Sequence, residues 1–172
     1  MLETEQTTDD LQAAVAEEKL FIRVTGRGSF KIAAPMKQFI AETCEKSSIT
    51  LVVLDLKQCI GMDSTFMGVL AGLSGRLTKS GTALELINLS EKNTNLLATL
   101  GVDRVLSFYS NAHGHNIPDQ ETESLPTDQA SKKEMAETAL RAHEKLVQIS
   151  ETNQPKFERV IELLKKDVNR LN

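Results

Sequence analysis

Tryptophan is absent from this 172-residue chain, tyrosine occurs once, and aromatic residues make up 4% of it. Any core must therefore be built from Leu, Val, Ile, Ala and Met, and 40% hydrophobic content is enough for one ordinary domain plus an appendage. Histidine is nearly absent too: there are three, and the first is His113. With no Gly-x-Ser-x-Gly turn and no earlier histidine, acyl-transfer chemistry has little to work with. Gly26-Arg27-Gly28 lacks the third glycine of a dinucleotide fingerprint, and no Gly-Lys-Ser/Thr follows it. Neither a bound cofactor nor nucleotide hydrolysis is expected, and the chain does not read as an enzyme.

Other absences narrow the setting. No apolar run nears the ~20 residues of a membrane span. The opening MLETEQTTDD has no basic region and no apolar stretch, so it does not read as a signal peptide. The two cysteines, Cys44 and Cys59, lack metal-ligand spacing and read as reduced thiols of a cytoplasmic protein. His113-Gly114-His115 is too isolated to hold a metal. A net charge of −4 argues against nucleic acid or an anionic membrane surface as partner. Asp119, Glu121, Glu123 and Asp128 together match that whole excess, in a stretch from Ser110 to Ala130 without Lys or Arg.

What is present alternates. Leu20–Val24 reads as a strand ended by Gly26-Arg27-Gly28, and Leu11–Ala16 as a weaker one that would lie antiparallel at the sheet edge. Apolar spacing at Met36, Phe39, Ile40 and Cys44 gives a helix over Ala33–Lys46. Leu51–Leu56 is almost continuously apolar, the pattern of a strand covered on both faces. A helix follows from Ser64 to Lys79, stopped by Ser80-Gly81. Then come a strand over Ala83–Leu89 and a short helix over Asn93–Leu100, closed by Gly101. Alternating strand and helix implies βαβ units and a mixed, largely parallel sheet with covering helices, an α/β fold. The organisation reads as a flexible N-terminus (1–10), an α/β domain (11–109), an acidic linker with Pro118 and Pro126 (110–127) and a helical extension (128–172). In the extension, Met135, Ala139, Ala142, Leu146 and Ile149 form one apolar stripe. Phe157, Ile161, Leu164, Val168 and Leu171 form a second with the same spacing, and Asn153-Gln154-Pro155 breaks between them. A helical hairpin follows, whose seams can pack together, dock on the first domain or dimerise. His143 reads as a solvated or seam-edge residue.

The most informative segment is Asp55–Leu77, DLKQCIGMDSTFMGVLAGLSGRL. Asp63-Ser64-Thr65 opens a helix just after a buried parallel strand, at the sheet edge where α/β proteins usually place their sites. A phosphate is well placed on a hydroxyl there, because the helix dipole and free N–H groups favour negative charge. Asp63 or Ser64 can equally act as a plain N-cap, worth about 1 kcal/mol. Gly68, Gly72 and Gly75 recur along the same helix, and each costs about 1 kcal/mol against Ala. Close packing on the sheet, or a smooth stripe for a partner helix, would compensate. Phe66, Leu70, Leu73 and Leu77 read as the core face.

This strand-loop-Met62-Asp63-Ser64-Thr65-helix pattern resembles the STAS domain of anti-sigma factor antagonists. The resemblance runs from about Leu11 to Tyr109 and includes Leu100-Gly101-Val102-Asp103-Arg104-Val105-Leu106. Phe66 is a departure, since the family usually has a small residue there. The resemblance implies that Ser64 is phosphorylated by a partner kinase, with Thr65 as second choice. It also implies a partner surface of Arg27, Asp63, Ser64 and Thr65, to which the small-residue stripe adds Gly68. The partners would be a serine kinase acting as anti-sigma factor, bound while Ser64 is unmodified, and a phosphatase in trans. A reading of another class is a non-catalytic scaffold, with the C-terminal helices driving self-association into a homo-oligomer.

Overall fold

The computed structural model describes residues 9–172. The frayed tail expected over 1–10 lies outside that range except for Asp9 and Asp10. Asp10 already belongs to the first strand, and the Asp9 carboxylate accepts hydrogen bonds from the Arg27 N–H (3.0 Å) and the Ser29 hydroxyl (3.1 Å).

The α/β fold expected from the sequence is present. Its strands are β1 (Asp10–Ala16), β2 (Lys19–Gly28), β3 (Leu51–Asp55), β4 (Cys59–Met62), β5 (Ala83–Ile87), β6 (Ser107–Phe108) and β7 (Glu123–Ser124). They join in one sheet of order β6-β5-β3-β2-β1-β7, with β4 paired to the far end of β2. β2, β3, β5 and β6 run parallel, whereas β1 is antiparallel to β2 and β7 antiparallel to β1. The helices are α1 (Phe30–Lys46), α2 (Ser64–Lys79), α3 (Glu91–Thr99), α4 (Lys132–Ile149) and α5 (Gln154–Leu171).

Period-two alternation divides the sheet residues between two cores. Leu20, Ile22, Val24, Val52, Leu54, Leu84 and Leu86 face α1 and α2 in the main core. Phe21, Val53 and Ile87 face the other way, against Tyr109 and Ile117. The stretch after β6, expected as a linker, covers that second face. The Asn88 N–H donates to the Asn111 carbonyl, the Leu125 N–H donates to the Leu11 carbonyl, and Arg23 pairs with Asp119. His115 reaches Glu85 at 2.7 Å, and His113 stacks on Tyr109 with ring centroids 3.5 Å apart. The acidic, proline-containing composition hid two apolar anchors, Ile117 and Leu125.

Two boundaries differ from the sequence expectation by three residues or more. β2 does not end at Val24 but continues to Gly28. Gly26, at φ 81°, supplies the irregularity that lets β4 pair alongside. α1 starts at Phe30, three residues early, because its first N–H is capped from a distant part of the chain.

The hairpin sits on α2. α4 packs against α2, α5 packs on α4, and the 3-10 turn Glu151–Asn153 joins them. Leu146 is fully buried within the main core. Asn153, also fully buried, donates to the carbonyls of Leu100 (2.9 Å) and Leu146 (2.8 Å), tying the hairpin turn to the end of α3.

Candidate functional site

β4 delivers Asp63 to the mouth of α2, beside the end of β2. The Asp63 N–H donates to the Gly28 carbonyl at 2.9 Å. Its Oδ1 accepts from the Phe66 N–H at 2.9 Å, the N-cap bond of α2. Its Oδ2 accepts from the Phe30 N–H at 2.8 Å, the first residue of α1. One carboxylate therefore caps two helices and locks the Gly28 loop to the start of α2. Each cap is worth about 1 kcal/mol.

With capping assigned to Asp63, the Ser64 hydroxyl is free for another partner. Its Oγ lies 2.9 Å from His143 Nε2 on α4. His143 Nδ1 lies 2.7 Å from the Ala139 carbonyl oxygen. A carbonyl can only accept, so Nδ1 carries the proton. In the neutral ring Nε2 is then the acceptor, and the Ser64 hydroxyl donates to it. Phe157 of α5 packs edge-on against the imidazole, with ring centroids 5.0 Å apart. His143 is 5% exposed, which overturns the expectation of a solvated residue, and its contact with Phe157 places it at the edge of the α4–α5 seam. Its burial follows from how α4 docks, which a single-helix pattern does not encode.

That docking depends on Gly68, one turn after Ser64. A Cβ at Gly68 would lie 2.4 Å from the Ala142 carbonyl oxygen and 2.8 Å from the Ala142 Cβ. The backbone of α4 thus approaches as near as the missing side chain allows. The small-residue stripe is matched by a helix of the same chain. Further along, Gly72 faces a cleft of about 40 Å³ between α1, α2 and α4, ringed by Lys37, Arg76, Arg141 and Lys145. The ion pairs among the described residues involve Arg23, His115 and Arg170, not these four cations. Burial lowers the Lys37 pKa below its ordinary value, and Arg76 and Arg141 lower it further against an opposing effect of Glu137.

The remaining sequence candidates separate. Thr65 is buried. Phe66 is wholly buried and turned inward, so this bulky residue leaves the first turn of α2 clear. The space it needs comes from Gly28, where a Cβ would lie 2.8 Å from the Phe66 ring. Arg27 is exposed on the same edge as Asp63. Sequence reasoning missed two neighbours, Phe30 and Ile60, residues that stand 47% and 58% exposed. Ile60 lies on β4, where Lys92 Nζ donates to its carbonyl at 2.8 Å. The covered part of the edge is thus Ser64–Gly68, and the open part is Arg27, Phe30 and Ile60.

A hydroxyl donating to a neutral imidazole is half of a nucleophile–base arrangement. Here the second ring nitrogen is held by the carbonyl of its own helix, and no carboxylate touches it. The contact fixes α4 onto the first turn of α2. Among the described residues, no group of three or more His, Cys, Asp or Glu side chains is placed to hold a metal. No helix among the described residues is long and apolar enough to cross a membrane. The Cys59 thiol is pushed up by burial, and its Sγ donates to the Gly61 carbonyl at 3.2 Å.

Comparison with known proteins places this geometry. The family model of the STAS domain matches residues 10–115. The anti-sigma factor antagonist SpoIIAA in its unphosphorylated form superposes with a TM-score of 0.52 at 16% identity, over 58% of this chain and 87% of its own. A crystal structure from Thermotoga maritima, described as a candidate anti-sigma factor antagonist, gives 0.53 at 18% identity, over 59% and 86%. At such identities these likenesses speak to the fold. The hairpin of α4 and α5 lies beyond the family match.

Proposed function

The chain belongs to the STAS domain family, and from that premise we propose that it is a protein-binding module switched by phosphorylation of Ser64, acting as an anti-sigma factor antagonist. Unmodified, it binds a serine kinase that is also an anti-sigma factor, through the edge made by Arg27, Asp63, Ser64, Thr65 and Gly68. Phosphorylated, it lets that partner go, and a phosphatase in trans restores it. The work is done in the cytoplasm by binding, without catalysis by this chain.

One observation carries the reading. Ser64 occupies the first position of α2 while Asp63 supplies the cap, so its hydroxyl is not needed to start the helix. Phosphate there adds about −1.5 to −2 charge beside Asp63. The positive end of α2 partly stabilises that charge, whereas a docked partner would face its desolvation and repulsion. Recovery of the protein from its native cells, with intact-mass measurement and site mapping, tests the reading. A phosphoryl group on Ser64 is expected under some growth condition, and its absence under every condition contradicts the reading.

A scaffold reading keeps one specific support. α5 has no buried residue, and Val160, Leu163 and Leu171 stand exposed along it. If that surface drives assembly, sizing of the full chain gives a multimer that deletion of α5 abolishes and Ser64→Asp leaves intact.

A further inference from the structure

We infer that α4 is a built-in occupant of the partner face: it lies where a partner's helix would lie, and its docking excludes a phosphoryl group on Ser64. This rests on the reading of Ser64 as the phosphoacceptor, and it adds a competitor carried by the same chain.

Three observations converge on it. The Ser64 hydroxyl is already bonded to His143, whose ring is wedged between α2 and Phe157. A phosphoryl group attached to Oγ needs room for phosphorus and three oxygens where the imidazole stands. The Gly68 stripe is filled to contact by the backbone at Ala142, so α4 cannot slide inward to make that room. The hairpin is also held unevenly. Leu146 and Asn153 anchor one end of α4. Beyond Gly68, a cleft holds Lys37 and Arg76 of the domain with Arg141 and Lys145 of α4 and no carboxylate, the acids Glu134 and Glu137 lining the neighbouring surface beside Lys37 and Arg141. Like charges across a packed surface oppose docking there. The geometry is that of a covering helix that can be displaced.

The chemistry of a competing helix can be read from α4. It needs a small residue opposite Gly68, as Ala142 is, and a hydrogen-bond acceptor one position on for Ser64, as His143 Nε2 is. Coupling between two ligands of one surface is reciprocal. A docked hairpin therefore reduces the apparent affinity for a partner in proportion to the fraction of time the face is open, and a bound partner disfavours docking of the hairpin by the same coupling.

The test uses the full chain prepared with phosphoserine at position 64 by codon reassignment, beside the unmodified chain. Amide hydrogen exchange over α4 reads docking without needing the kinase. The expected result is at least ~10-fold faster exchange in α4 of the phosphoserine protein, a factor worth about 1.4 kcal/mol. Ala142→Leu, which drives a side chain at Gly68, should give the same opening with Ser64 unmodified. Ser64→Ala, which removes the bond and adds no bulk or charge, should change the rates much less. Unchanged or slower exchange with phosphoserine would show that His143 and the nearby cations accept the phosphate, and would overturn the inference. That outcome differs from failure of the functional reading, in which Ser64 is never modified in cells although phosphoserine still opens α4.

Discussion

α4 and α5 have the same length and the same apolar spacing, yet they lie in different environments. α4 fully buries Thr138, Ala142, His143 and Leu146, while the apolar stripe of α5 is only half-buried. The difference arises outside both helices. α4 meets a stripe on α2 from which Gly68 has removed the side chain, so its backbone comes to contact. α5 packs mainly on α4, half-burying Phe157, Ile161, Leu164 and Val168, and leaves Val160, Leu163 and Leu171 to solvent. Periodicity makes an amphipathic helix, but a complementary surface decides whether its apolar face is buried.

That comparison can be broken by substitution, and Leu146→Ala should show the largest effect. Removing a fully buried side chain from the main core costs about 2–5 kcal/mol, read by denaturant unfolding. Gly68→Ala comes next. Helix propensity alone predicts a gain of about 1 kcal/mol. The new methyl would instead meet backbone of α4, so overpacking should reverse the sign, with a net loss of about 1–3 kcal/mol and loss of protection in α4. A stabilised Gly68→Ala protein with α4 still protected would mean the two helices do not touch there. Asn153→Ala removes the amide that satisfies two buried carbonyls and should cost about 1–3 kcal/mol. Arg141→Glu should tighten docking slightly, by up to ~1 kcal/mol at low salt, and the gain should fade as salt is added. Leu163→Ala should be the smallest, within about 0.5 kcal/mol, because the residue is exposed. A change of molecular size in Leu163→Ala would revive the scaffold reading.

The legible parts of the sequence were those whose causes are local. Asp63-Ser64-Thr65 opened a helix as expected, because a short acceptor side chain satisfies an N–H three residues on. The spacing of Phe66, Leu70, Leu73 and Leu77 gave the core face of α2, and all four are buried. Gly81 and Gly101 marked helix ends because both adopt positive φ. What stayed hidden depends on contacts between distant segments. α1 begins at Phe30 because Asp63 caps it from 33 residues away. β4 is four residues long and contains a glycine, and only pairing with the end of β2 makes it a strand. His143 looked peripheral on its own helix, and its partner Ser64 is 79 residues distant. A clue was present in the small residues of both helices, Gly68 and Gly72 on one and Thr138 and Ala142 on the other. Matching small stripes signal close approach, although neither stripe alone names its partner.

The central claim is that α4 sits on the first turn of α2 with His143 held by Ser64. A nitrogen–proton correlation spectrum of the His143 ring, recorded well above the ordinary imidazole titration range, tests it most directly. A single tautomer is expected, with the proton held on Nδ1 by the Ala139 carbonyl in every variant, and an Nε2 resonance that shifts in Ser64→Ala and in Ala142→Leu as its hydrogen bond is lost. An Nε2 resonance that neither substitution moves would show that His143 does not meet Ser64.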